Sequence, residues 1–167
     1  LQTVQCEYYV YERNAEENGY NWTTDLTGRN YLNNGEVVYS NSTPVKLTEG
    51  ASGKITINNT YERQKGSLEI KKSFLTSQGS TVTGDVLNNV MFSIEGPDDF
   101  TKVTKTYADF TDDGKLKLDD VPIGTYKITE SNMDMSTPEG YSYVKTKVNN
   151  VDAVSNTVTV TEGNTGT

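Results

Sequence analysis

Residues 116–130 read Leu-Lys-Leu-Asp-Asp-Val-Pro-Ile-Gly-Thr-Tyr-Lys-Ile-Thr-Glu, and their alternation decides the fold. Leu116 and Leu118 alternate with Lys115 and Lys117, so an extended chain has one apolar face and one wet face. Pro122 and Gly124 then mark a turn, because proline presets φ and glycine accepts positive φ. Beyond it Tyr126 and Ile128 resume the apolar side, which predicts strand, turn, strand. Period two places Glu130 on that same inward face. A carboxylate aimed at a β core is costly unless it is neutral or paired, so Glu130 is the first candidate for chemistry.

Working outward, the start of the chain repeats this stretch. Leu1 and Val4 match Leu118 and Val121, and Tyr9, Val10 and Glu12 fall near Tyr126, Ile128 and Glu130 with one residue deleted. Gly19-Tyr20-Asn21-Trp22 answers Gly140-Tyr141-Ser142-Tyr143, and Lys46 to Gly50 answers Thr159 to Gly163. A repeat of this length is a repeat of domains. We expect the later part of a first domain over residues 1–63, closed by a strand from Ile55 to Tyr61, a polar linker over 64–66, and a second domain over 67–167. Alternating stretches at Ser67–Lys72, Val90–Ile94, Thr101–Phe110, Val144–Val148 and Val154–Thr161 predict the strands of domain 2. In this frame domain 1 lacks its opening strands and domain 2 lacks a counterpart of Ile55–Tyr61. Fragmentation of a longer tandem array accounts for that frame, and strand donation from neighbouring copies is the other explanation. Open strand edges favour completion in either case.

Composition narrows the function. Over 167 residues, 23 acidic side chains against 15 basic ones leave a net charge of −8, which argues against a nucleic-acid groove or an anionic membrane surface. Apolar content of 33% suits thin sheets with one wetted face. Eleven tyrosines, with threonine and valine, favour strands, and no segment has a sustained helical period. No apolar run is long enough to cross a bilayer, so any anchor is expected outside these residues. The chain has no histidine, which excludes histidine-based triads and most zinc sites. Its one cysteine, Cys6, cannot form an internal disulfide and is expected as a partly buried thiol.

Four segments together resemble the B-type repeat domains of the Cna collagen adhesin (CnaB domains), found in Gram-positive surface adhesins and sortase-assembled pilins. They are Gly66–Lys72, Met91–Pro97, Leu118–Glu130 and Asn59-Thr60-Tyr61. The resemblance implies an all-β chain of tandem transthyretin-like (Ig-like) sandwiches, each incomplete here. It also implies an intramolecular isopeptide bond between lysine and asparagine. The family's lysine, in the pattern L-x-I-x-K, falls on Lys72; period two independently selects Lys72 over Lys71 as the inward residue. The family's promoting glutamate matches Glu130 and Glu12, and its acceptor asparagine matches Asn59. Lys72 and Asn59 lie in different domains, so each is expected to pair with a residue outside this chain. In such a site burial disfavours charge on amine and carboxyl alike, and contact supplies effective molarity.

The implied function is a structural module of a bacterial surface stalk or pilus subunit, extracellular and cell-wall anchored or in a pilus. Its partners would be neighbouring domains or subunits of the same assembly. The alternative is an adhesive module whose tyrosine-rich stretch from Tyr8 to Tyr31, with Trp22, contacts a host ligand or glycan. No enzyme acting on a separate substrate is expected, only single-turnover self-crosslinking, and no metal or cofactor. Asp119 and Asp120 point to opposite faces and cannot form a carboxylate pair for glycoside hydrolysis. Asp98-Asp99 and Asp112-Asp113-Gly114 are explained as turns.

Overall fold

The computed structural model describes residues 6–13, 15–24, 26, 28–31, 37–40, 45–47 and 52–167, setting aside the side chains of 28–31, 37–40, 45 and 46. The sequence matches at Leu1, Val4 and 48–50 lie outside the described residues. The chain divides into two units, Leu1–Arg63 and Gln64–Thr167.

In unit 1 the strands are β1 (Cys6–Tyr8), β2 (Tyr11–Glu12), β3 (Tyr20–Thr24), β4 (Gly28–Tyr31), β5 (Val37–Ser40), β6 (Val45–Leu47) and β7 (Asn59–Arg63). They pair as β1-β6, β2-β5-β4 and β3-β7, all antiparallel. Cys6 lies on β1 and is exposed, not the partly buried thiol expected from sequence. Residues 52–58 belong to no strand, so the closing strand begins only at Asn59. Burial still alternates through this segment, with Ile55 and Ile57 half-buried and Lys54 and Thr56 exposed. That is the pattern of a strand lacking ladder pairing.

Unit 2 contains β8 (Lys65–Lys71), β9 (Met91–Glu95), β10 (Val103–Thr106), β11 (Lys115–Pro122), β12 (Gly124–Ser131), β13 (Lys147–Val148), β14 (Val151–Asp152), β15 (Ser155–Val160) and β16 (Thr165–Gly166). A four-stranded sheet runs β10-β9-β12-β15 and a three-stranded sheet β11-β8-β16. Leu68, Leu116 and Val121 from the second sheet meet Ile94, Tyr126 and Val160 from the first in one buried cluster. Two sheets closed over a shared apolar layer make unit 2 a β-sandwich. Tyr126 is wholly buried, and its hydroxyl donates to the Pro122 carbonyl at 2.6 Å, so its polar end is satisfied.

The stretch from 116 to 130 is where the chain changes sheet. β11 pairs with β8, whereas β12 pairs with β9 and β15. A register shift between Leu118 and Val121, with Asp120 at φ 56°, bulges β11 before it pairs with β8 again at Val121 and Pro122, and the change of sheet follows at Ile123. Asp119 pins this bulge: Lys117 Nζ lies 2.7 Å from its carboxylate, and Ser67 Oγ donates to it at 2.6 Å.

Two predicted strands are shorter than their sequence patterns. The strand expected over 101–110 ends at Thr106, because Asp109 accepts from the Thr106 backbone and caps a single 3-10 turn over Tyr107–Asp109. The strand expected over 144–148 contains only Lys147 and Val148, where a hairpin turns through Asn149 and Asn150, both at positive φ. β8 begins at Lys65, inside the stretch read from sequence as a linker.

The Lys117 hydrogen bond, followed by that of Ser67, holds the Asp119 carboxyl below the ordinary aspartate range. A lowered folded-state value means that the contribution is present at neutral pH and is lost as pH falls through that value. An NMR titration of the Asp119 carboxyl should show a midpoint below that of an unpaired aspartate, and Lys117→Met should move it back up. An unchanged midpoint in the variant would remove the clamp.

Candidate functional site

Each unit presents an inward glutamate at the corresponding place, and each glutamate has one polar companion. In unit 2, β12 carries Tyr126, Ile128 and Glu130 on one face, which puts the carboxyl opposite Phe92 of β9. Lys72 follows directly after β8, where its backbone N–H donates to the Gly114 carbonyl at 2.8 Å. Leu68, Ile70 and Lys72 share the inward face, and Lys71 is exposed, as the alternation predicts. Lys72 Nζ comes within 2.6 Å of Glu130 Oε1, with the lysine side chain 17% exposed and the glutamate side chain 6%. Oε1 makes no aligned hydrogen bond among the described residues, so the pair is held by charge.

An aromatic wall, not identified from the sequence, lines this pair. The Lys72 ammonium sits 4.8 Å from the centre of the Phe74 ring. Phe74 meets Tyr107 edge-on at 4.8 Å, Tyr107 lies 5.3 Å from Phe110, and Phe110 packs 4.8 Å from Phe92. Phe74 lies two residues beyond Lys72, so period two alone could have placed it beside the lysine. Tyr107 and Phe110 flank the 3-10 turn, and strand alternation could not have found them. Gly114, at φ 72°, closes the back of the site: a Cβ there would collide with the Lys72 carbonyl oxygen.

Unit 1 contains the other half of the chemistry. Asn59 opens β7 opposite Thr24, and Glu12 ends β2. Asn59 Nδ2 donates to Glu12 Oε1 at 2.5 Å. Glu12 Oε2 and Asn59 Oδ1 are both buried, and neither has a hydrogen-bond partner among the described residues. All four residues selected from sequence are therefore in contact pairs, Lys72 with Glu130 and Asn59 with Glu12. Lysine and asparagine do not meet within either unit.

The aromatic stretch of unit 1 divides into two kinds of ring. Tyr20 packs edge-on against Tyr61 and lies under the Arg63 guanidinium, while Tyr8, Tyr9 and Tyr11 are exposed. Glu17, Tyr20 and Tyr61 line a shallow hollow of about 390 Å³.

Comparison with known proteins gives the fold family. The family described as SpaA, a prealbumin-like fold domain, matches residues 66–165, well over half of the chain. The chain belongs to this family. Among solved structures, the Bacillus anthracis TIE protein is 18% identical at a TM-score of 0.41, with 94% of this chain and 32% of that one covered. The chain thus spans about a third of the length of that structure. No curated protein matches. The SpaA match covers all of β8 but Lys65, and all of β12, so both Lys72 and Glu130 lie inside it. It also agrees with the sandwich fold and the surface-protein resemblance read from sequence, and it makes the chain a structural module of the pilin type.

Breaking one side of the Lys72–Glu130 pair should cost more than removing both. Lys72→Met leaves a buried carboxylate uncompensated and should destabilise unit 2 by about 3 kcal/mol. Lys72→Met with Glu130→Gln should recover most of that loss. Urea unfolding followed by the amide NMR signals of unit 2 reads both, and equal losses would show that the pair is not coupled.

Proposed function

We propose that the protein is an extracellular structural module of a Gram-positive surface stalk or pilus subunit. Its sandwiches would be locked by autocatalytic lysine–asparagine isopeptide bonds promoted by Glu12 and Glu130. One observation supports this above all: each unit pairs its inward glutamate with one of the two companions such a bond needs, lysine in unit 2 and asparagine in unit 1. Unit 1 has two orphaned acceptors, Glu12 Oε2 and Asn59 Oδ1, which call for a donor and favour a cationic one. Unit 2 has an ion pair already balanced in charge, next to which a neutral amide is the least costly addition. Lysine and asparagine answer those two needs.

The chemistry balances without a cofactor. Glu130 takes a proton from the Lys72 ammonium, and the free amine attacks the carboxamide carbon of an asparagine side chain. The new C–N bond forms as the C–Nδ2 bond breaks. The proton held by the glutamate passes to the leaving nitrogen, which departs as ammonia, and the attacking nitrogen gives its second proton to the same carboxyl, leaving one amide N–H and a neutral glutamic acid. Proximity supplies the rate, and the Phe74 ring packs over the Lys72 ammonium. The event occurs once per site, as maturation of the module. A bond joining first and last strands carries load before the inter-strand hydrogen bonds do, giving slow unfolding and protease resistance.

The exposure of Tyr8, Tyr9 and Tyr11 favours a second reading, an adhesive surface for a host ligand or glycan. Binding of the chain to a glycan and matrix-protein panel, lost in Tyr8→Ser with Tyr11→Ser, would support it.

The crosslink is tested by appending a second copy of Ile55–Arg63 after Thr167. The folded product should be lighter than its sequence mass by one ammonia, and Glu130→Ala should restore the full mass. An extended chain that folds and keeps its full mass would remove the covalent lock and leave a non-covalent sandwich module.

A further inference from the structure

We propose that Asp109 and Lys105 guard the outer edge of β10, and that without them this edge pairs with the β10 of a second copy of the chain. The proposal rests on the sheet order of unit 2 and stands whether or not a crosslink forms.

β10 is the outermost strand of the sheet β10-β9-β12-β15, so one side of its backbone has no ladder partner among the described residues. One bond fixes which groups lie on that side. Just past the strand, the Tyr107 N–H donates to the Val90 carbonyl at 2.9 Å. In an antiparallel ladder alternate residues turn their backbone groups to the same neighbour, so Val103 and Lys105 also face β9, whereas Thr104 and Thr106 face outward. Outward N–H and C=O groups in such a row are a template for another strand.

Asp109 takes one of these donors. Its Oδ2 accepts from the Thr106 N–H at 2.7 Å and from the Thr106 hydroxyl at 3.3 Å. The backbone then turns through the 3-10 residues Tyr107–Asp109, so the edge ends at Thr106. Two copies of β10 paired antiparallel about Lys105 would set Thr104 of one copy opposite Thr106 of the other. Each such pair needs the Thr106 N–H, and Asp109 already holds it.

Lys105 is the second guard. It lies on the core-facing side of β10 opposite Phe92, and it is only half-buried because no strand flanks β10 beyond it. An inward charge on an outer strand reaches water past the open edge, and a further strand laid along that edge would desolvate it. Pairing about Lys105 would also bring the lysines of the two copies directly opposite each other, which is destabilising. Modules in a surface assembly of the kind proposed above are held at high local concentration, where an unguarded edge joins neighbours sheet to sheet. Asp109 and Lys105 keep that edge closed.

The test is sedimentation equilibrium of the intact chain and its variants, with amide NMR as the check of fold. The unaltered chain should sediment as one chain. Asp109→Ala with Lys105→Thr should double the apparent mass at high concentration, with amide shifts centred on Val103–Thr106. Adding Thr104→Pro should restore the single-chain mass, because it removes an outward N–H and no bond to β9. A folded double variant that stays a single chain, or a dimer that survives Thr104→Pro, would overturn the proposal. Amide exchange of the unaltered chain reads the guard without any substitution. Thr106 should be protected and Thr104 should exchange at least tenfold faster, and equally fast exchange at both would overturn the role of Asp109.

Discussion

A carboxylate on the inward face of a β-strand is the constraint on which the rest of the site depends. The alternation of β12 cannot place Tyr126 and Ile128 in the core without also placing Glu130 there. Burial of an ionised group is tolerated only with a partner, and Lys72 supplies one at 2.6 Å. The lysine is in turn fixed by its own strand, since Leu68 and Ile70 commit β8 to a register that aims Lys72 inward. Neither residue can be moved to solvent by a small adjustment: a slip of one residue in either strand would expose its whole apolar set. The polar pair is thus enforced by the packing of its apolar neighbours.

The same constraint explains the accessory features around the pair. The chain passes from the β8 sheet to the β9 sheet between Pro122 and Gly124, after the bulge at Asp119-Asp120 has shifted the register of β11 on β8. Gly114 is required where the turn before β11 approaches the Lys72 carbonyl. Phe74 packs over the ammonium, and Tyr107, Phe110 and Phe92 continue from it ring to ring.

Much of this was legible in the sequence because strand alternation has only one ambiguity, a shift by one, and strong apolar pairs resolve it. Leu116, Tyr126 and Leu68 fix three strands, and Glu130 and Lys72 then follow by counting. Asn59 and Glu12 were accessible only through the repeat and the family resemblance, since unit 1 has weaker alternation. Features that depend on which hydrogen-bonding partner a backbone finds, near or distant in sequence, were not legible. The strand expected over 101–110 stops at Thr106 because Asp109 competes for its backbone, which alternation does not register. Residues 52–58 have the pattern of a strand and form none, because pattern records a preferred face and not the presence of a neighbour. Cys6 was expected partly buried because a free thiol behaves as a small apolar side chain, and it is exposed.

The contrast between the two units bears on how such a site must be assembled. A buried carboxylate can accept from an ammonium or from a carboxamide, so glutamate forms a stable pair with either companion and does not require both at once. This makes Glu12 with Asn59, and Glu130 with Lys72, tolerable as resting arrangements while the third group is absent. The two pairs nevertheless differ in what they leave unsatisfied: acceptors in unit 1, and a charge-balanced pair with one unaligned oxygen in unit 2. A reaction that consumed both companions would be irreversible once ammonia escaped, so a premature encounter would be costly. In a domain that carried both companions on separate strands beside one glutamate, that encounter would wait until strand pairing was complete. The strand register would then act as the safeguard, since amine and amide would meet only once the apolar faces beside them were seated.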